Sequence, residues 1–182
     1  MLANKLYLIY ILFFIVLVVD RIKTSFVAKS VERGTTEYYP SFQRLLVSAY
    51  LFIIFSAVTE FLILSRINLI AILFGLFFLL ISRWVRISSV VALNGQWCLS
   101  IRITKNDKLI KTGIYKSLAH PYHVSVLVEL IGFCLISGAW FALLMVFLIQ
   151  LPLIYIRILL EEKILNSIYG IEYHSYRVTK LI

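Results

Sequence analysis

Acidic side chains are scarce in this sequence. Asp and Glu number nine in 182 residues against eighteen Lys and Arg, and charged residues of both signs make up only 15% of the chain. A soluble domain of ordinary composition is about a quarter charged and about 45–50% apolar. Here 62% of the residues are apolar and the mean hydropathy is +0.95. A chain of this length folded in water has too little polar surface to cover so much apolar material. A soluble globular fold is therefore excluded, and the bilayer must solvate much of the chain. Cysteine is nearly absent too. Cys98 and Cys134 fall in a polar loop and in an apolar run, which excludes a disulfide framework and shows no metal-ligand spacing. No resident metal is expected. Three prolines and seven glycines leave no room for a Pro/Gly/Ser-rich linker, and no internal repeat or low-complexity tract is visible. A single membrane domain over 1–182 is the economical reading, with N-terminal spans in 1–82 and the chemistry in 83–182.

Long apolar runs are what the chain has in excess. A crossing helix needs ~20 mostly apolar residues, because ~30 Å of hydrocarbon is covered at ~1.5 Å per residue. Residues 2–19 form one run, ended by Asp20-Arg21-Ile22-Lys23 and not by a small-residue cleavage site, so a retained anchor helix is expected. Residues 45–64 and 67–81 form a hairpin about Ser65-Arg66. Residues 124–136 and 140–160 form a second, hinged at Ser137-Gly138-Ala139. Its first arm is short unless it starts near Pro121, where a first-turn proline loses no hydrogen bond. The fold expected is all-α, with about five transmembrane helices in two hairpins plus an N-terminal anchor; four spans is the alternative.

Lys and Arg gather on the cytoplasmic side of short loops. With the N-terminus outside, sixteen of the eighteen lie inside and only Lys5 and Arg66 outside. The basic balance thus reads as topology and contact with anionic headgroups, and nucleic-acid binding is unnecessary.

The inner segments also hold the candidate chemistry. Between Arg83 and Pro121 come the turns Leu93-Asn94-Gly95-Gln96-Trp97, Asn106-Asp107-Lys108 and Thr112-Gly113-Ile114-Tyr115. Ala119-His120-Pro121-Tyr122-His123 then brings two histidines to a helix start, whose free N–H groups suit an anionic ligand group. Arg157 and Glu161 are four apart and share one helix face. They form either a helix-end ion pair or a pair holding a charged cofactor beside a charged substrate. Gln150 and Pro152 interrupt that last run. Of the two acids inside spans, Glu60 sits near an outer end and is expected to reach the interface or pair with Arg66. Glu129 has no basic partner in its own helix and is the more interesting one.

These blocks resemble the isoprenylcysteine carboxyl methyltransferase family, its prokaryotic and alkylpyrone-methylating members in particular. The resemblance rests on Gly113-Ile114-Tyr115, Ala119-His120-Pro121, Arg157 with Glu161-Glu162, and the segment Tyr169-Gly170-Ile171-Glu172-Tyr173-His174-Ser175-Tyr176. It covers residues 93–182, about half the chain. It implies an S-adenosylmethionine-dependent methyltransferase acting on a lipophilic carboxylate, hydroxyl or thiol that arrives from the membrane. The cofactor would touch Asp107, Lys108, Leu109, Ile110, Tyr115, His120, Pro121, Tyr122, His123 and Glu161. The pocket would form between the loop before the fourth span and the C-terminal segment. Arg157 would face the acceptor's anionic group, and Glu129, with His120 and His123, is a candidate base for a phenol or enol. The implied location is a prokaryotic inner membrane, with active site and C-terminus cytoplasmic and membrane lipids and a lipid-like substrate as partners. Two positions depart from the family pattern: Ala119 stands where Arg is usual, and His123 where Tyr is usual. The second readings are a steroid-reductase-type enzyme using NADPH, which shares a His-Pro block, and a non-catalytic scaffold of the same fold.

Overall fold

The computed structural model describes residues 2–26, 37–102 and 107–180; Lys29, Arg33 and Lys105, counted above with the inner charges, lie outside them. Helix α1 runs Leu2–Phe26. Helix α2, Pro40–Leu64, has proline in its first turn and stops at Ser65, whose left-handed backbone (φ 48°) lets its N–H reach Phe61 O. Asn68 then caps α3, Leu69–Ala92, accepting the Ala71 N–H at 3.1 Å. A side-chain cap of this kind satisfies a donor that the helix itself leaves free. The turn expected at Ser65-Arg66 is therefore there, bounded by a stop and a start signal.

Helix α4, Pro121–Ser137, begins at the proline as expected and ends on Gly138 at φ 60°. Only glycine fits there, because a Cβ would lie 2.4 Å from the Arg66 carbonyl oxygen. The two hairpin turns touch at that point. Helix α5, Trp140–Met145, passes through a π turn, Val146–Gln150, into α6, Leu151–Tyr169. Pro152 accounts for the π turn: proline has no N–H to give and its ring clashes with the carbonyl four residues back. The helix widens before it, and Leu151 N–H donates to Val146 O. A short α7, Ile171–Val178, follows.

Among the described residues, three helices are long and apolar enough to cross a membrane: α2, α3 and the 30-residue run Trp140–Tyr169; α4 is a shorter apolar helix. The protein is thus an all-helical integral membrane protein, apart from one pair of two-residue strands. In it β1, Glu37–Tyr38, lies antiparallel to β2, Ile101–Arg102. That pairing was not expected from the sequence.

The core sits between α2, α4 and the α5 end of the long helix. Ile53, Ala57, Leu130, Ala142 and Val146 are fully buried, and Tyr10 of α1 stacks on Phe61 at 3.8 Å and shares a 2.8 Å hydrogen bond with Ser137 Oγ. Helices α3 and α4 meet at two glycines. A Cβ on Gly75 would stand 2.6 Å from Gly132 O, closer than real contacts allow, so the backbones touch as small residues permit in membrane bundles. Gly75→Ala is expected to lower stability by about 1–3 kcal/mol, seen as a fall in melting temperature in detergent. An unchanged melting temperature would mean that the crossing can open at no cost.

Glu60 has partners that its sequence reading did not name. Its carboxylate accepts the Phe141 and Ala142 N–H groups at 3.1 and 3.2 Å. It caps the start of α5, where a negative charge meets free donors and the positive end of the helix dipole. Among the described residues it makes no hydrogen bond to Arg66.

Candidate active site

The site grows from the meeting of α4 and α6. Arg157, Glu161, Leu165 and Tyr169 recur every four residues, so they form one stripe along α6. Opposite them, His120 precedes Pro121 at the start of α4 and His123 lies one turn further in. His123 Nε2 lies 3.0 Å from Glu161 Oε2, and His120 Nε2 lies 3.3 Å from Glu162 Oε1. Arg177 of α7 also bonds Glu162. The adjacent acids of α6 thus each hold one histidine of α4. His120 and Arg157 are 5% and 4% exposed, and both line a recess with His123 and Glu161, while Glu162 stands outside its lining.

A layered loop and α7 form its other walls. The Gln96 side chain pairs with the Lys108 backbone in both directions, donating to Lys108 O at 3.1 Å and accepting its N–H at 2.9 Å. Tyr169 donates to Asp107 O at 3.0 Å and Tyr176 to Tyr115 O at 2.7 Å. Lys180 reaches Lys116 O, and Lys111 pairs with Glu172. The C-terminal segment is therefore fastened across the loop by four contacts that act as a clamp. Ala119 is buried against Tyr173 and Tyr176. A long arginine side chain in its place would need the room those rings occupy, so the departure at Ala119 is matched by close packing of α7. Burial pushes the phenols of Tyr115, Tyr173 and Tyr176 above the usual tyrosine range, and the negative charge of Glu161 adds to the rise at Tyr115. All three stay neutral hydrogen-bonding groups at ordinary pH.

The recess holds about 990 Å³ of empty space, part of it open to solvent. Asp107, Lys108, Leu109, Ile110, Tyr115, His120, Tyr122, His123, Arg157 and Glu161 all line it, so sequence reading and structure converge on one pocket. Pro121 does not line it and serves as the buried start of α4. Trp97 and the C-terminal tyrosines line it, as the turn and aromatic motifs suggested. Leu99, Ser100, Ile101 and Leu165 were missed. The four-residue spacing from Arg157 would have found Leu165; the others sit in an irregular strand with no periodic signal.

Two polar atoms in this lining lack partners among the described residues: Arg157 Nε and the Tyr173 hydroxyl are buried without a hydrogen bond. Arg157 Nη2 makes only a long 3.4 Å contact to Leu99 O. A buried donor left unpaired costs about 1–3 kcal/mol. Both residues line the recess.

Glu129 lies elsewhere. It is outside the pocket lining and is bonded by Arg86 at 2.7 Å and by Arg21 at 2.9 Å. Arg86 also holds Asp20 at 2.7 Å, and Arg83 pairs with Asp20 as well. Arg21 lies over the rings of Tyr50 and Tyr122, at 5.1 and 5.6 Å from their centres. This network ties α1 to α3 and α4 beneath Tyr122, which does line the pocket. The basic partners absent from Glu129's own helix come from two others.

An all-helical membrane protein with a buried polar pocket at one end of its bundle is the class these features define. A comparison with protein families matches residues 72–167 to the isoprenylcysteine carboxyl methyltransferase (ICMT) family. The match covers more than half of the chain, and the protein belongs to that family of membrane methyltransferases. It takes in His120, Arg157 and both acids and ends before α7. No match is found among curated proteins.

Proposed function

We propose that the protein transfers a methyl group from S-adenosylmethionine to a lipophilic acceptor that enters from the bilayer. The observation that carries this reading is the pair Glu161 and Arg157, one helical turn apart in a single buried pocket whose Arg157 Nε and Tyr173 hydroxyl have no partner. The donor set fits the cofactor. Glu161 offers negative charge to its ammonium or ribose hydroxyls, the unpartnered Tyr173 hydroxyl and the clamped 107–110 backbone offer hydrogen bonds, and Tyr115, Trp97 and Leu109 offer apolar walls. His120 and His123 fix the two acids in place. His123, standing where the family usually has tyrosine, supplies a polar group to Glu161 at 3.0 Å.

When bound, the cofactor supplies a sulfonium-activated methyl group. The chain's own part is to align donor and acceptor and keep water out. Arg157 offsets the acceptor's negative charge through a charge-assisted hydrogen bond from Nε. A carboxylate acceptor needs no base; for a hydroxyl or thiol, His123 and His120 are the proton acceptors within the pocket. Glu129, saturated by two arginines, is a structural counter-ion in this reading and not a base. The excess of Lys and Arg at the pocket end supports a cytoplasmic active site in an inner membrane.

The test is transfer of label. Membranes containing the protein are supplied with methyl-labelled S-adenosylmethionine and a total lipid extract, and label is counted in the organic phase. Incorporation well above that of His120→Ala membranes supports the reading; equal incorporation contradicts it.

A further inference from the structure

We propose that His120, His123 and Glu161 form a binding site for a divalent transition metal of the zinc class, and that this metal and the methyl-donor cofactor exclude one another. The exclusion rests on the cofactor reading above; the metal site itself does not. Each of the three residues offers one donor atom, and the three atoms lie within 4.8 Å of one another. Zinc takes imidazole nitrogen and carboxylate oxygen at about 2.0–2.2 Å, which sets tetrahedral donors ~3.4 Å apart. The His123–Glu161 pair is already at 3.0 Å, so small side-chain rotations suffice to complete the set. His123 stands on α4, Glu161 on α6, and His120 is the residue that precedes α4, so the three donors come from one meeting of two helices. The pocket opens beside them and leaves a fourth position for water.

The surrounding charges set how strong such a site is. Glu162 bonds His120 at 3.3 Å, the kind of outer carboxylate that orients a ligating imidazole. Arg157 and Arg177 oppose a dication, balancing the charges of Glu161 and Glu162. The site is therefore reversible and inhibitory, not a permanent structural centre. Two nitrogens in three donors select zinc, cobalt, nickel or copper over magnesium and calcium. Glu161 cannot serve metal and cofactor together, and exclusion follows.

The experiment titrates the tag-free full chain, in detergent and without cofactor, with cobalt(II) alone and follows its visible absorption, then displaces it with zinc. One metal per chain is expected, with binding at least tenfold weaker in His123→Gln and in Glu161→Gln, and no response to magnesium. Gln at 123 retains a hydrogen-bonding group beside Glu161, which guards against loss of the fold; melting of the metal-free variants verifies it. With zinc held at ten times its own Kd, the apparent Kd of S-adenosylhomocysteine should rise about elevenfold by mass action. Binding equal in parent and variants, or none, overturns the site. A bound metal that leaves S-adenosylhomocysteine affinity unchanged overturns the exclusion. S-adenosylhomocysteine that fails to bind even without metal refutes the cofactor reading separately, while the cobalt titration still decides the metal site.

Discussion

Arg157→Ala is expected to lower methyl transfer at saturating cofactor by about a hundredfold, while S-adenosylhomocysteine affinity changes by less than about threefold. Glu161→Gln should do the reverse, weakening the cofactor by roughly tenfold to a hundredfold. The argument rests on where each charge points. Arg157 is 4% exposed and its Nε has no partner among the described residues, and on the proposed reading that hydrogen bond goes to the acceptor. A charge-assisted hydrogen bond contributes about 1.5–3 kcal/mol, and 2.7 kcal/mol is about a hundredfold in rate. Removing Arg157 leaves the 3.0 Å His123–Glu161 pair in place, and with it the cofactor's anchor. Glu161→Gln keeps shape but deletes the charge meant for a cationic ligand. Measuring initial rates and ligand affinity on both variants separates the roles. Equal losses in both quantities for both variants would mean that the α6 stripe is structural and the role assignment is wrong.

Glu129→Ala is expected to cost about 3–5 kcal/mol and to leave little folded protein. Breaking a buried ion pair by removing one partner strands the other charge in a low-dielectric interior. Here two are stranded, since Glu129 accepts from both Arg86, 3% exposed, and Arg21. Asp20 offsets part of the loss because it already holds Arg86. Glu129→Gln keeps an acceptor oxygen and should fall between the two. Melting curves in detergent, read beside turnover, distinguish structure from chemistry. A Glu129→Ala protein that melts like the parent but has lost turnover would make Glu129 the base after all.

What the sequence disclosed follows from the range of each interaction. Helices are local, so the apolar runs, Pro121 and the breaks at Ser65 and Gly138 marked where they start or break, whereas α1, α3 and α6 run on past the apolar stretches to Phe26, Ala92 and Tyr169. The stripe of Arg157 and Glu161 was legible for the same reason. Contacts between elements were not. The His123–Glu161 and His120–Glu162 pairs join residues 38 and 42 apart, and nothing in either motif says which acid meets which histidine. Glu129 looked unpartnered because Arg86 and Arg21 are 43 and 108 residues away. Glu60 was read against its nearest basic neighbour, whereas its donors are backbone N–H groups that carry no sequence signature. The β1–β2 pair and the π turn ahead of Pro152 escaped because two residues make no period and a helix can absorb proline in several ways. The cofactor was legible only through the resemblance; the unpartnered atoms of Arg157 and Tyr173 carry no signal in the sequence.

The central claim is that this pocket holds an S-adenosyl ligand, and ligand-induced stabilisation tests it most directly. A ligand that binds only the folded protein at a hundred times its Kd raises stability by about 2.7 kcal/mol. The account predicts such a rise in melting temperature with S-adenosylhomocysteine, smaller or absent in His120→Ala and Glu161→Gln. No rise at saturating ligand, in protein shown to be folded, would contradict it.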